Sequence, residues 1–221
     1  MSAPHARKPA AAVPARPASP GRPKDLAKGA AILDAAKRMF TEHGFDRTSM
    51  DLIASEAGVS KLTVYSHYGD KEALFAAAVK SHCETRLPDA LFEPSPETPL
   101  RERLLEIAEA FFSMVSSPEA VAGHRIMCSP QVTGSPLSEI FWKAGPERTK
   151  NMFAKLLQDR IDAGQLDIPD IPIAASQFLT LIKGEAHARM VFGYCAQTGT
   201  VEEHLAACVD MFLRAYGVRR A

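Results

Sequence analysis

The 221 residues carry 26 lysines and arginines against 26 aspartates and glutamates, so the formal net charge is zero and there is no global nucleic-acid signature. At 46% hydrophobic residues the chain can bury the core of one or two domains, and no apolar run approaches the ~20 residues that a membrane span needs. The four cysteines, Cys83, Cys128, Cys195 and Cys208, are scattered without CxxC or zinc spacing, and there is no Gly-rich phosphate loop, nucleophile elbow or HExxH. Metal-dependent, nucleotide-driven and hydrolytic chemistry are therefore set aside, and no catalytic residue, metal or cofactor is expected.

Residues 1–24 are dominated by Ala and Pro, carry Arg7, Lys8, Arg16, Arg22 and Lys24, and contain no acid. Such a segment buries too little apolar surface to offset its ordering entropy, and a disordered tail is expected. Its prolines and charges interrupt any apolar h-region, which speaks against a signal peptide. Arg22 and Lys24 either sit in an inert solvated tail or reach DNA as an arm.

Asp25 caps a predicted helix with Ile32, Ala35, Ala36, Met39 and Phe40 on one face, ended by Gly44. Thr48, with Asp51 three residues on, makes a capping-box arrangement before Ile53, Ala54 and Ala57. Gly58 can end that helix, and Ser60 can cap the next one over Lys61 to Tyr68. Gly69 and Asp70 stop it and cap a helix with Leu74, Phe75 and Val79. Two short capped helices around a glycine turn fit either a generic αα-hairpin or a helix-turn-helix. The residue types favour the second: Lys61, Thr63, Tyr65, Ser66, His67 and Lys71 crowd one helix and its exit, with no acid between Glu56 and Asp70. Through Phe75 the chain holds eleven basic and eight acidic residues, a surplus of three, which leaves a deficit of three for the rest.

The block Ala31 to Phe75, AILDAAKRMFTEHGFDRTSMDLIASEAGVSKLTVYSHYGDKEALF, resembles the TetR/AcrR family of bacterial transcriptional regulators nearly end to end. The resemblance implies an N-terminal three-helix, helix-turn-helix DNA-binding domain over residues 25–86, with the motif at about 49–68. By motif, Thr48 and Ser49 meet the DNA backbone, and Lys61 and Thr63 occupy the base-facing start of the recognition helix. Tyr65 and His67 clasp phosphates, with Ser66 beside them, and Lys71 contacts a phosphate at the next helix start. Tyr65 can instead plug the small core, as Tyr68 is expected to. Leu62 departs from the glycine the family often has there; a leucine must fill space or touch a thymine methyl, which bears on base preference.

Past the proline-punctuated link from Arg86 to Pro99, the pattern stays helical and no strand alternation competes. Leu104, Ile107, Ala108, Phe111, Phe112 and Val115 make an amphipathic stripe; short helices follow at Glu119 to Met127 and from Pro136 through Trp142. Gly145-Pro146 can open a longer helix ending at Gly164. Ile173 to Phe192 is apolar on more than one face, and Leu205 to Tyr216 forms the last stripe. The fold class is all-α, with a helical-bundle body over 100–217 for effector binding and dimerisation. The segment FLTLIKGEAHARMVFG resembles a C-terminal domain of the AefR-like type, implying a homodimer through Phe178, Ile182, Gly184, Leu205, Val209 and Phe212. Glu185, His187 and Arg189 read as structural. An effector pocket in this family is enclosed by the middle helices, with Phe111, Met114, His124, Met127, Phe141, Trp142, Phe153 and Gln177 as candidates here.

These features together lead us to expect a cytoplasmic, homodimeric repressor on double-stranded, pseudo-palindromic DNA, released by a small hydrophobic or amphipathic effector. The alternative is a DNA-bound interaction protein whose body recruits a protein partner without an effector.

Overall fold

The computed structural model describes residues 25–93, 97–194 and 200–218; the expected tail and Cys195 lie outside them. Ten α-helices run in chain order, α1 (Leu26–His43), α2 (Met50–Glu56), α3 (Lys61–Tyr68), α4 (Lys71–Arg86), α5 (Leu100–Val115), α6 (Pro118–Met127), α7 (Pro136–Trp142), α8 (Arg148–Asp162), α9 (Ile171–Phe192) and α10 (Val201–Tyr216). Among the described residues no helix is long and apolar enough to cross a membrane.

Local chemistry sets most boundaries. Asp25, Ser49, Ser60, Asp70, Ser117, Asp170 and Thr200 each accept a backbone N–H in the first turn of the helix they precede, which satisfies donors that would otherwise be orphaned. Ser49 and not Thr48 caps α2: the N–H of Leu52 donates to Ser49 Oγ at 3.1 Å. The expected α8 start also differs. Pro146 lies inside a π-helical stretch, Lys143–Glu147, that carries α7 straight into α8. The wider turn leaves room for a ring that lacks an N–H.

Two buried clusters organise the chain. The first packs α1 to α4 around Ile32, Ile53, Val64 and Leu74, and its rings Phe40, Phe45 and Phe75 stand at 5.3 to 5.7 Å from one another. Val132 and Leu137, from the α6–α7 loop and α7, belong to this same cluster. The second is the body, built on Leu104, Ile107, Phe153, Leu156, Phe178, Ile182, Val209 and Phe212. Its centre is aromatic: Phe153 stacks on Phe178 at 4.6 Å, and Phe178 meets Phe212 edge-on at 5.0 Å.

Helix α9 is broken at Gly184, where φ is 52° and ψ is −163°. A Cβ there would lie 2.7 Å from His204 Nε2, and that imidazole nitrogen sits 3.1 Å from the Leu181 carbonyl. The ring of α10 thus fills the notch that the glycine leaves in α9.

Candidate nucleic-acid interface

Helix α3 is held from one side only. Val64 is fully buried, and one turn later the Tyr68 hydroxyl donates to the Gly29 carbonyl of α1 at 2.8 Å. Burial raises the Tyr68 phenol above its usual value, with Asp34 adding to it, so it remains a donor. Gly29 is buried because His67 approaches it: Nδ1 would be 3.1 Å from a Cβ at that position. These contacts set the depth of α3 and turn Leu62 and Ser66 to the opposite face, with Tyr65 beside them. Leu62 is 81% exposed and Tyr65 43% exposed.

The polar groups around this face are partly engaged with the protein. Lys61 Nζ donates to Asp51 of α2 at 2.8 Å, and that hydrogen bond raises the ammonium's pKa. Both side chains are more than half exposed; such a pair contributes little, and Lys61 is released from it at small cost. Ser60 and Thr63 share a hydroxyl hydrogen bond of 2.8 Å. Lys71 donates to the Phe45 carbonyl at 2.9 Å and lies 4.1 Å over the Phe45 ring, which places its half-exposed ammonium at the corner where α1 turns toward α2. An ammonium has three donors, and this bond uses one.

Thr48 is the exception among the expected backbone-contacting residues. It is 1% exposed, and its hydroxyl donates inward toward the carbonyls of Gly44 (2.7 Å) and Met39 (3.1 Å). The side chain staples the α1–α2 corner and presents no hydroxyl outward. The anchoring pair Gly29 and Tyr68 went unread in the sequence because the two residues are 39 apart and meet only where α1 crosses α3.

In the body, the eight expected effector-pocket residues do not converge. Phe111, Met114 and Phe153 are buried in the body core. Met127 and Phe141 pack instead against the N-terminal cluster. Trp142 is 58% exposed and shares an open depression of about 600 Å³ with Met127, Ser135 and Glu139. Gln177 is exposed on α9 and accepts from the Tyr216 hydroxyl at 2.7 Å. His124 faces His187 across α6 and α9, with ring centroids 5.1 Å apart. The short α6 and α7 turn their apolar sides in different directions, which the i, i+4 pattern cannot reveal.

The residues expected at a dimer contact lie inside the single chain. Phe178, Ile182, Leu205, Val209 and Phe212 are at most 2% exposed within a single chain, and Gly184 meets the protein's own His204. The outer face of α9 and α10 instead presents Ile173 and Met211, 53% and 43% exposed, over an open trough of about 780 Å³ that Leu181, Phe212 and Tyr216 also line. Glu185 and Arg189 form the i,i+4 ion pair their spacing suggests, at 2.6 Å. Burial pushes the Cys83 thiol up to about 11 and raises Cys208 too, so neither is primed as a thiolate.

Burial, then the neighbouring His124 and Lys183, hold the His187 imidazole down to about 4. In the unfolded chain it titrates near ~6.5. The unfolded state therefore takes up the proton first as pH falls, so His187's contribution to stability is intact above the unfolded value and is lost toward about 4. The thermal midpoint is expected to fall through that window, and His187→Gln to flatten the slope; parallel pH profiles for the two proteins would contradict the assignment.

Residues 32–78 match the model of bacterial regulatory proteins of the tetR family, and residues 102–218 that of the AefR-like transcriptional repressor C-terminal domain. The chain is similar to the HTH-type transcriptional activator FasR of Mycolicibacterium smegmatis, 33% identical over 93 residues, a match that spans 42% of either chain. It is also similar to the HTH-type transcriptional repressor AcnR of Corynebacterium glutamicum, 25% identical over 183 residues, covering 81% of this chain and 87% of that one. Among solved structures it is similar to the flavonoid-responsive regulator FrrA at 34% identity and a TM-score of 0.69, covering 89% of this chain and all of that one.

Proposed function

The chain belongs to the TetR family of bacterial transcriptional regulators, and from that premise we propose that it is a homodimeric repressor whose grip on its operator is loosened by a small amphipathic effector. The observation that carries the DNA reading is α3, fixed from behind by Val64 and the Tyr68–Gly29 hydrogen bond while Leu62, Tyr65 and Ser66 face outward. A short rigid helix with one bare face is what a major groove admits. In this reading residues 25–86 form the DNA-binding unit and 100–217 the body. Lys61, Leu62 and Thr63 read base edges, and Ser49, Tyr65, Ser66, His67 and Lys71 fix the register on the backbone. A second copy covers the α9–α10 trough through Ile173, Leu181 and Met211, setting two α3 helices about 34–36 Å apart on a pseudo-palindrome with adjacent half-sites. The effector acts by binding one arrangement of the dimer more tightly than the other.

The test is selection of fragments from a randomised duplex pool at low ionic strength. Wild type should retain a two-fold symmetric site. Lys61→Ala should change the bases selected, whereas Lys71→Ala should weaken binding to every sequence and lower the salt slope by about one. Retention of no fragment, or unchanged selectivity in Lys61→Ala, would overturn the reading.

A second reading keeps the DNA-bound dimer and has its body recruit a protein. The exposed Trp142 beside Met127 and Pro136 favours it, since an indole on an open depression is a common anchor at protein interfaces.

A further inference from the structure

Between α6 and the C-terminal half of α9, three basic side chains come together without an acid. His124 and His187 face each other at 5.1 Å with ring planes 48° apart. Lys183 stands directly ahead of the Gly184 break in α9, and its charge acts on both rings. His187 is 6% exposed. No hydrogen bond or ion pair engages any of the three side chains among the described residues.

The charged neighbours are occupied elsewhere. Glu185 is held by Arg189 at 2.6 Å, and Arg125 of α6 donates to the carbonyls of Met190 and Val191 at 2.6 and 2.7 Å. No carboxylate from α5, α8 or α10 acts on either imidazole; His124 feels only burial and Lys183, and His187 only burial, His124 and Lys183. Lys183 itself is pulled down by burial alone. Three desolvated bases facing one another cost the fold free energy, because each disfavours the charged form of the others. An anion placed among them reverses that sign and gains charge-assisted hydrogen bonds in a site of low dielectric.

We propose that His124, Lys183 and His187 form the anchor for a small amphipathic carboxylate, the ammonium supplying the charge and the two imidazoles the hydrogen bonds. The ammonium is the one fixed positive charge, and a bound anion eases protonation of the two imidazoles beside it. Val121, buried on α6, and Met190, packed against the body core, lie three residues from His124 and His187 on the same helices and make the surroundings of the site apolar. The consequence for DNA rests on the effector reading above. Helix α6 leads into the segment whose Val132 and Leu137 close the core of the DNA-binding unit, so a ligand that changes how α6 sits on α9 acts on that core. Because the bound anion favours protonated imidazoles, binding takes up protons and tightens as pH falls.

The full-length protein is to be titrated at about pH 7 with octanoate, octan-1-ol and inorganic phosphate, following the side-chain imidazole resonances of His124 and His187 and the heat in two buffers of different ionisation enthalpy. Octanoate should saturate, move both rings toward the protonated form and show proton uptake, with octan-1-ol binding about tenfold or more weakly. Lys183→Met should erase that preference while leaving the response to the alcohol unchanged. Equal binding of acid and alcohol, a ring response to phosphate alone, or octanoate binding undisturbed in Lys183→Met would overturn the proposal. Operator release is scored separately: octanoate bound with proton uptake while DNA stays bound would sink the effector reading and leave the carboxylate site standing.

Discussion

Phe178→Ala is expected to lower stability by about 3–5 kcal/mol, the range for a large aromatic removed from a close-packed core. Phe178 is completely buried, stacks on Phe153 of α8 at 4.6 Å and meets Phe212 of α10 edge-on at 5.0 Å. The three rings form one mutually packed triad across these helices, so the void left behind cannot be refilled by one neighbour moving. Chemical unfolding of Met211→Glu, which puts a charge on the exposed α9–α10 trough, with and without Phe178→Ala, reads the effect within a single chain. The experiment also separates two roles for the same residue. If Phe178 met a second copy, its loss would shift the dimerisation constant and leave the monomer's unfolding unchanged. Full burial inside one chain predicts the reverse.

The second large effect concerns the break in α9. At Gly184 the backbone has φ 52° and ψ −163°, a region essentially closed to residues with a Cβ and costing about 1–3 kcal/mol to hold. A Cβ would also lie 2.7 Å from His204 Nε2 and 2.9 Å from Cε1. Gly184→Ala should therefore be destabilising on both counts. Adding His204→Ala should recover the steric part and leave the torsional part, so the double variant stays less stable than His204→Ala alone. A Gly184→Ala protein as stable as wild type would mean that α9 runs straight.

The readable parts of the sequence were those where one local rule acts alone. The helix Lys61–Tyr68 between Ser60 and Gly69 was legible to the residue, since a side-chain cap and a glycine stop leave no alternative nearby. The exposed face of α3 followed from that helix. Where two rules competed, the sequence misled. Thr48 and Ser49 can both cap, and the choice fell to Ser49 because the Thr48 hydroxyl finds two carbonyls at the α1–α2 corner. Apolar periodicity marked Phe178, Val209 and Phe212 correctly as one face each, but could not say whether that face meets the same chain or another. Met127 and Phe141 lie on the side of α6 and α7 that packs against the N-terminal cluster, a long-range choice with no local signal. His187 was legible as a helix residue only; its pairing with His124 depends on how α6 crosses α9.

Val132 and Leu137 give the first cluster part of its wall, although they come from the body. The DNA-reading portion is thus not a cassette that can be cut out or transplanted at Arg86. A graft onto a foreign body would leave greasy holes where those two side chains belong, and evolution by shuffling such halves would have to carry the α6–α7 loop along with the reader it seals.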